Sequence, residues 1–278
     1  MGEPADKVVL ISGASAGIGL ATADRLHREG WTVVGASRRG TSPGTWSPLL
    51  MDVDDDRSVA DGAAGVVAEH GRLDAVVACA GWGLAGPVEQ TPIDQAMDQL
   101  QTNFWGAVRL VQAALPVFRQ QESGRVVLIS SLGGIIGLPF QAFYSASKFA
   151  LEGYAEALAY EVAPFGVQVT LVQPGNVATD FTASRVVVRD GPGAEAYAAA
   201  MTKAITTMER DEVNGAPAAQ VAATVQRVLD ASRPPRRVSA GKLDERAGLL
   251  AKRLLPFRVF SAAARPSLGV DSPVRSRP

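Results

Sequence analysis

The stretch VVLISGASAGIGLA, residues 8–21, carries two motifs laid over each other. Gly13-Ala14-Ser15-Ala16-Gly17 matches the G-x-S-x-G elbow that lifts a nucleophilic serine out of a strand-to-helix turn. Taken on through Ile18 to Gly19, the same residues form a glycine-rich loop suited to a nucleotide pyrophosphate at a helix N-terminus. Both readings demand strand, turn and helix. Gly13 permits the tight turn, Gly17 lets backbone approach a phosphate, and Gly19 lets helix pack close to strand. The spacing G-x3-G-x-G departs from the usual dinucleotide fingerprint G-x-G-x-x-G.

Outward from this loop, short β-branched runs alternate with longer helical stretches. Residues 7–12, 31–36, 73–78, 125–130 and 167–173 are apolar nearly throughout, as strands buried on both faces are, and 49–51 reads as one more short strand. Helices are expected over 17–29, 56–69, 93–121 and 142–164, with Gly30, Gly71, Gly124 and Gly166 closing the helix-to-strand joints. The alternation predicts an α/β fold, a single doubly wound parallel sheet with helices on both faces. It runs over residues 1–240 with an insertion at 179–215, followed by a C-terminal extension at 241–278.

The totals fit one well-buried globular chain: 278 residues, 47% hydrophobic, mean hydropathy +0.09. A formal charge of −1 gives no case for nucleic acid. A single cysteine, Cys79, excludes an intramolecular disulfide framework and points to a cytoplasmic setting. Residues 1–6 lack signal-peptide character, and no apolar run approaches a membrane span. Two histidines and one cysteine argue against a zinc site. They argue against a hydrolase too, because His27 lies in the first helix and His70 ends the helix after strand three. Neither follows a late strand, where the elbow's base would stand. Ser15 is therefore read as a loop residue offering hydroxyl and amide to a phosphate.

After the second strand come Ser37, Arg38 and Arg39 in place of the acid that would grip an NAD ribose. Two guanidiniums suit the extra phosphate of NADP(H), with NAD(H) disfavoured; the competing reading is a solvated strand end. Tyr144 and Lys148 share one helical face, and an ammonium beside a phenol favours its ionised form. Ser131, at the carboxyl end of the 125–130 strand, places a hydroxyl for the same substrate oxygen.

Together Gly13-x3-Gly17-x-Gly19, Asp52, Ala80-Gly81, Asn103, Ser131, Tyr144-x3-Lys148 and Pro174-Gly175 resemble the short-chain dehydrogenase/reductase family, in its order and spacing from residue 7 to about 240. The segments 103–106 and 147–153 are similar to its hydroxysteroid and retinol dehydrogenase branch. The resemblance implies a Rossmann-type, NADP(H)-dependent oxidoreductase interconverting a ketone and a secondary alcohol. Tyr144 is implied as general acid or base, with Lys148 lowering its pKa and binding the nicotinamide ribose. Ser131 would polarise the substrate oxygen, and Asn103 would hold a relay water. Asp52 and Val53 would meet adenine; Pro174, Gly175, Asn176, Val177 and Thr179 would meet the nicotinamide side. One departure is Ala78-Cys79 where the family has two asparagines, which puts local stability and adenine packing in question.

The substrate cover is expected from Trp82, from the apolar run 132–143 (Leu132, Gly133 and Gln141 foremost) and from the insertion with Phe181, hinged at Gly191 and Gly193. That profile suits a steroid-, polyketide- or lipid-like substrate; no charge pair is poised for a carboxylate or phosphate, though Arg185 and Arg189 could serve. The alternative is a non-catalytic NADP(H)-binding regulator. Residues 232–278 carry a charge of +8, and 249–255 read as a basic amphipathic helix. A flap over the pocket or a subunit contact is favoured there over peripheral membrane contact; residues 270–278 are expected to be disordered. Helices 93–121 and 142–164 are similar to those forming homodimer or homotetramer contacts in the family.

Overall fold

The computed structural model describes residues 7–191 and 193–270. The elements in chain order are β1 (Val8–Ser12), α1 (Gly17–Arg28), β2 (Thr32–Ser37), β3 (Ser47–Leu50), α2 (Asp56–His70), β4 (Ala75–Ala78), β5 (Leu84–Ala85), α3 (Ile93–Leu100), α4 (Gly106–Gln121), β6 (Gly124–Ile129) and α5 (Ala142–Glu161). There follow β7 (Val167–Pro174), β8 (Val177–Ala178), β9 (Val186–Val187), α6 (Ala194–Val213), β10 (Ala216–Pro217), α7 (Ala218–Asp230), β11 (Arg237–Ala240), α8 (Leu243–Leu254) and α9 (Phe257–Ala264).

Seven strands form one parallel sheet in the order β11-β7-β6-β4-β1-β2-β3. The chain runs outward from β1 to β3, then returns to β4 on β1's other side. At such a reversal the loops leaving β1 and β4 diverge and open a crevice at the strands' carboxyl ends. The near-continuous apolar runs are explained by burial on both faces. Val8 and Leu10 pack with Leu110, Phe118 and Leu158 on one side. Val9 and Ile11 pack with Leu26, Val225 and Leu229 on the other. Each such side chain contributes roughly 2–3 kcal/mol.

One joint departs from the sequence reading. Gly124 does not close a helix; it is the first residue of β6, where an added Cβ would lie 2.2 Å from the Phe118 ring. The left-handed residue there is Glu122, at φ 52°. The helix expected over 93–121 runs through without a stop, with a π-turn at Gln101–Trp105 between α3 and α4. The seventh strand, β11, was not foreseen, and it pairs with β7 from Arg237↔Leu171 to Ala240↔Pro174.

The 179–215 insertion is tied down at both ends. Val186–Val187 pairs with Leu84–Ala85, and Ala216–Pro217 pairs with Val177–Ala178. Most of its length is the helix α6. Gly191 and Gly193 have positive φ, and Gly193 caps α6. Val270 is placed, its N–H donating to the Arg265 carbonyl; residues 271–278 lie outside the described residues.

Candidate active site

A cleft of about 960 Å³ opens at the carboxyl ends of β1, β4, β6 and β7. The loop after β1 forms its floor. Gly13 has φ +67°, and a Cβ there would lie 2.8 Å from Ala80 Cα. A Cβ on Gly19 would lie 2.1 Å from the Gly13 carbonyl, so the first helical turn packs directly on the loop that precedes it. The Thr179 side chain lies against Gly17 from across the cleft. Ser12 Oγ accepts from Cys79 N (3.2 Å) and Ala80 N (3.3 Å), joining β1 to the β4 exit.

At the end of β2, Arg38 and Arg39 are exposed on the cleft wall. Arg39 Nη2 donates to Ser15 Oγ at 2.9 Å, so the cation reaches back over the glycine loop. The Ser37 hydroxyl between them and the strand is buried and has no partner. A backbone cradle closed to a Cβ at Gly13 and Gly19, an orphan hydroxyl and two cations fit a dinucleotide with its phosphates. Asp52 turns its Oδ1 to Asp54 N (3.0 Å), while Val53 packs against Gly106.

The four groups singled out for chemistry meet at the centre of this cleft. Ser131 lies two residues beyond β6, and its Oγ accepts from Gly133 N at 3.0 Å. A Cβ on Gly133 would sit 3.1 Å from Tyr144 Cε1 and 3.4 Å from Ser131 Oγ, which locates the phenol and the hydroxyl on either side of it. The Ser131 hydroxyl is close enough to the Tyr144 phenol to lower it. Lys148 Nζ is 5.9 Å from the Tyr144 ring centroid and donates to the Ile129 carbonyl at 2.9 Å. Asn103 lies in the π-turn, a helix irregularity that recurs at functional sites. Its amide is spent on Trp82 N and O (3.0 Å each) and on Ser147 Oγ (3.2 Å). Both Nδ2 hydrogens are thereby used, while Oδ1 keeps one lone pair.

The Tyr144 phenol answers first to its burial. Burial raises it above its ordinary value, the Ser131 hydroxyl pulls it back in part, the Glu212 charge raises it and Arg185 lowers it. Lys148 has its own desolvation to bear, which lowers its ammonium to about 8. The Cys79 thiol is pushed up to about 12 by burial and is protonated at neutral pH, which suits a packing role.

Other groups were missed because their partners are remote in sequence. Arg185 does not stand free for an anionic substrate; it is buried and paired to Glu212 Oε1, whose Oε2 accepts from Thr182 Oγ1 at 2.7 Å. Glu152, one helical turn past Lys148, accepts from Ser130 Oγ (2.7 Å), Gln173 Nε2 (2.9 Å) and Arg237 Nε (2.9 Å). It thus ties α5 to β6, β7 and the edge strand β11. Glu245 of α8 takes Asn176 N (2.8 Å) and Nδ2 (2.9 Å) on one oxygen and Lys242 N (2.6 Å) on the other. Glu245 reaches back to the Lys242 backbone N–H as half of a capping box, but a lysine in place of the usual Ser or Thr hid this helix start from the sequence.

Trp82, Leu132, Gln141 and Phe181 all line the cleft; Trp82 is held there by α3 through Gln99 Nε2, which donates to its carbonyl at 2.6 Å. The Phe181 ring is 5.8 Å from that of Tyr144. The extension covers the far end with Ala251, Leu255, Phe260 and Leu268, while Leu254 and Phe257 point outward. Among the described residues no helix is long and apolar enough to cross a membrane, and no cluster of three or more His, Cys, Asp or Glu could hold a metal ion.

Comparison with known proteins agrees with this geometry. The family pattern described as short chain dehydrogenase matches residues 7–188. A 3-ketodihydrosphingosine reductase from Bacteroides thetaiotaomicron is 37% identical over 260 residues, covering 93% of this chain and 97% of that protein. The human 17-beta-hydroxysteroid dehydrogenase type 1 is 41% identical over 191 residues, 63% of this chain and 58% of that longer protein. Among solved structures, a short-chain dehydrogenase from Streptomyces avermitilis superposes with a TM-score of 0.81 at 33% identity, covering 95% of this chain and 99% of its own. With the pattern matched from β1 through β9 and relatives aligned well beyond it, the chain belongs to the short-chain dehydrogenase family of oxidoreductases.

Proposed function

We propose that the protein is an NADP(H)-dependent reductase of a hydrophobic ketone, with Tyr144 as the proton donor. The observation that carries this is the convergence of Ser131, Tyr144 and Lys148 on one cleft whose floor is the glycine loop. Gly13, Ser15, Gly17, Ile18 and Gly19 would hold the pyrophosphate, and Ser37, Arg38 and Arg39 the 2′-phosphate. Asp52, Val53, Ala80 and Gly81 would flank adenine and its ribose; Pro174, Gly175, Val177 and Thr179 would flank the nicotinamide.

A reduced nicotinamide bound there supplies hydride to the carbonyl carbon. Tyr144 gives its proton to the carbonyl oxygen as the C=O double bond becomes a C–O single bond. A phenol raised by burial is protonated at neutral pH, the state a proton donor requires. Ser131 aims a hydroxyl at the same oxygen and stabilises the charge that develops on it. Lys148, an ammonium within reach of the phenol, offsets the phenolate left after proton transfer.

The apolar lining of Leu132, Ile136, Leu138, Leu255 and Phe260 supports a large hydrophobic substrate. So do the relatives, named for 3-ketodihydrosphingosine and for a hydroxysteroid. We read the extension as the flap over that substrate. Exposed Met97, Trp105, Phe149 and Tyr160 on α3, the π-turn and α5 support a homodimer or homotetramer, which light scattering would count.

The test is a ketone panel followed at 340 nm with NADPH and NADH in parallel. Stronger turnover with NADH refutes the role of Arg38 and Arg39. Tyr144→Phe should abolish turnover and keep NADPH binding. Unchanged turnover would refute the mechanism, and absence of turnover in the wild type with binding intact favours a cofactor-sensing regulator.

A further inference from the structure

The C-terminal extension has two faces of different chemistry. On α8, Asp244, Gly248, Ala251 and, at the C-cap, Leu255 recur at one-turn spacing and line the cleft. Arg246, Leu250, Arg253 and Leu254 fall on the opposite side of that helix and are exposed. Just beyond it Phe257, Arg258 and Val259 are exposed too, with Leu254 and Phe257 each at 70%. The Lys252 ammonium joins this segment to α8, 4.7 Å from the Phe257 ring centroid and 5.2 Å from that of the buried Phe260. Five large apolar side chains thus stand open within residues 250–259. Exposed apolar residues scattered singly need no explanation, but a cluster this dense marks a surface that is covered in use.

The charge around the cluster selects what covers it. Asp244 and Glu245, the acids that open α8, both line the cleft. From Arg246 to Val270 the chain carries basic residues at 246, 252, 253, 258 and 265 and no acidic one. A second copy docking through the same face would set these cations against their own kind, which is penalised. A surface both apolar and anionic meets both demands, because acyl chains receive the leucines and the phenylalanine while phosphate headgroups receive the guanidiniums. We infer that the outer face of the extension docks on an anionic lipid surface, with Leu250, Leu254 and Phe257 entering the acyl boundary. The inner face stays on the cleft, so one element serves as cover and as anchor. Leu255, which lines the cleft and is 40% exposed, forms an apolar lip between the two. This docking stands independently of the reductase reading above.

The experiment floats the full chain with vesicles of phosphatidylcholine alone, and with vesicles in which phosphatidylglycerol replaces a third of it. The anionic vesicles should bind at least tenfold more tightly, and half-molar salt should remove most of that preference. Leu254→Ser combined with Phe257→Ser should weaken partitioning at least tenfold. So should Arg246→Gln combined with Arg253→Gln and Arg258→Gln, while both variants keep the wild-type melting temperature. A wild type that leaves anionic vesicles bare, or binds neutral ones equally well, overturns the proposal even if both variants fail to fold. So does partitioning unchanged in either folded variant. A wild type that ignores vesicles, with a mass by light scattering that falls in the Leu254→Ser, Phe257→Ser variant, would assign the face to a second copy instead.

Discussion

Replacing Lys148 with methionine should leave the protein at least as stable while silencing it. Burial lowers the Lys148 ammonium from 10.5 to about 8. At ~1.4 kcal/mol per pH unit, keeping that charge in the folded chain at pH 7 costs about 3 kcal/mol. The variant leaves the buried Ile129 carbonyl without its charged donor, a loss of about 1–3 kcal/mol. The net expectation is a gain of about 0–2 kcal/mol at pH 7 in the absence of cofactor. The pH dependence gives a sharper check. Between pH 8 and 10.5 the unfolded lysine holds a proton that the folded one has released, so wild-type stability rises with pH through that window. Below pH 8 the whole penalty applies, and above 10.5 it has gone. Cys79 acts in the opposite sense. Its thiol, raised from 9.0 to about 12, stays protonated in the fold while the unfolded thiol ionises. That loss is common to both proteins and cancels in their difference. Urea melts at pH 7, 8, 9 and 10 should show the variant's advantage constant to pH 8 and shrinking above it. A variant less stable than the wild type at pH 7, or stability curves that stay parallel to pH 10, would refute the reasoning.

Three further outcomes are expected. Glu152→Ala strands the buried Ser130 hydroxyl and Gln173 amide, and at about 1–3 kcal/mol for each orphan it should cost roughly 2–6 kcal/mol in a urea melt; a loss under about 1 kcal/mol would contradict the network. Gly19→Ala places a Cβ 2.1 Å from the Gly13 carbonyl, so the loop must open and NADPH binding by fluorescence titration should weaken at least tenfold; wild-type affinity would show that the loop is not the phosphate cradle. Glu245→Ala removes the acceptor of Asn176 and Lys242, so the KM for cofactor should rise and trypsin should cut in residues 241–256 sooner; an unchanged digestion pattern would disprove the tether.

The sheet could be read because strands covered on both faces leave a near-continuous apolar run, as VVLIS does in β1 and VQVTLVQP in β7. The edge strand Arg237–Ala240 leaves no such mark. It is short, follows two prolines, and only its last residue is buried. In the cleft the same contrast holds. Tyr144 and Lys148 are legible because one helical turn sets their relation. The groups that orient or accompany them are joined over distance: Arg185 to Glu212 across 27 residues, Asn176 to Glu245 across 69 and Glu152 to Arg237 across 85. Periodicity is silent at such separations. The unfolded chain holds no hint of which carboxylate will meet which cation.

The position of β11 also bears on how the molecule is born. Until residue 237 emerges, β7 has a bare valine-rich margin, and the Glu152 carboxylate lacks its guanidinium. At ~5–20 residues per second, the gap from Pro174 to Arg237 lasts roughly 3–13 s on a ribosome. Throughout that interval the nascent polypeptide displays an unpaired ladder of the sort that recruits other strands. Self-association during synthesis should therefore peak in chains stalled between these two points, and fall once the last strand is released.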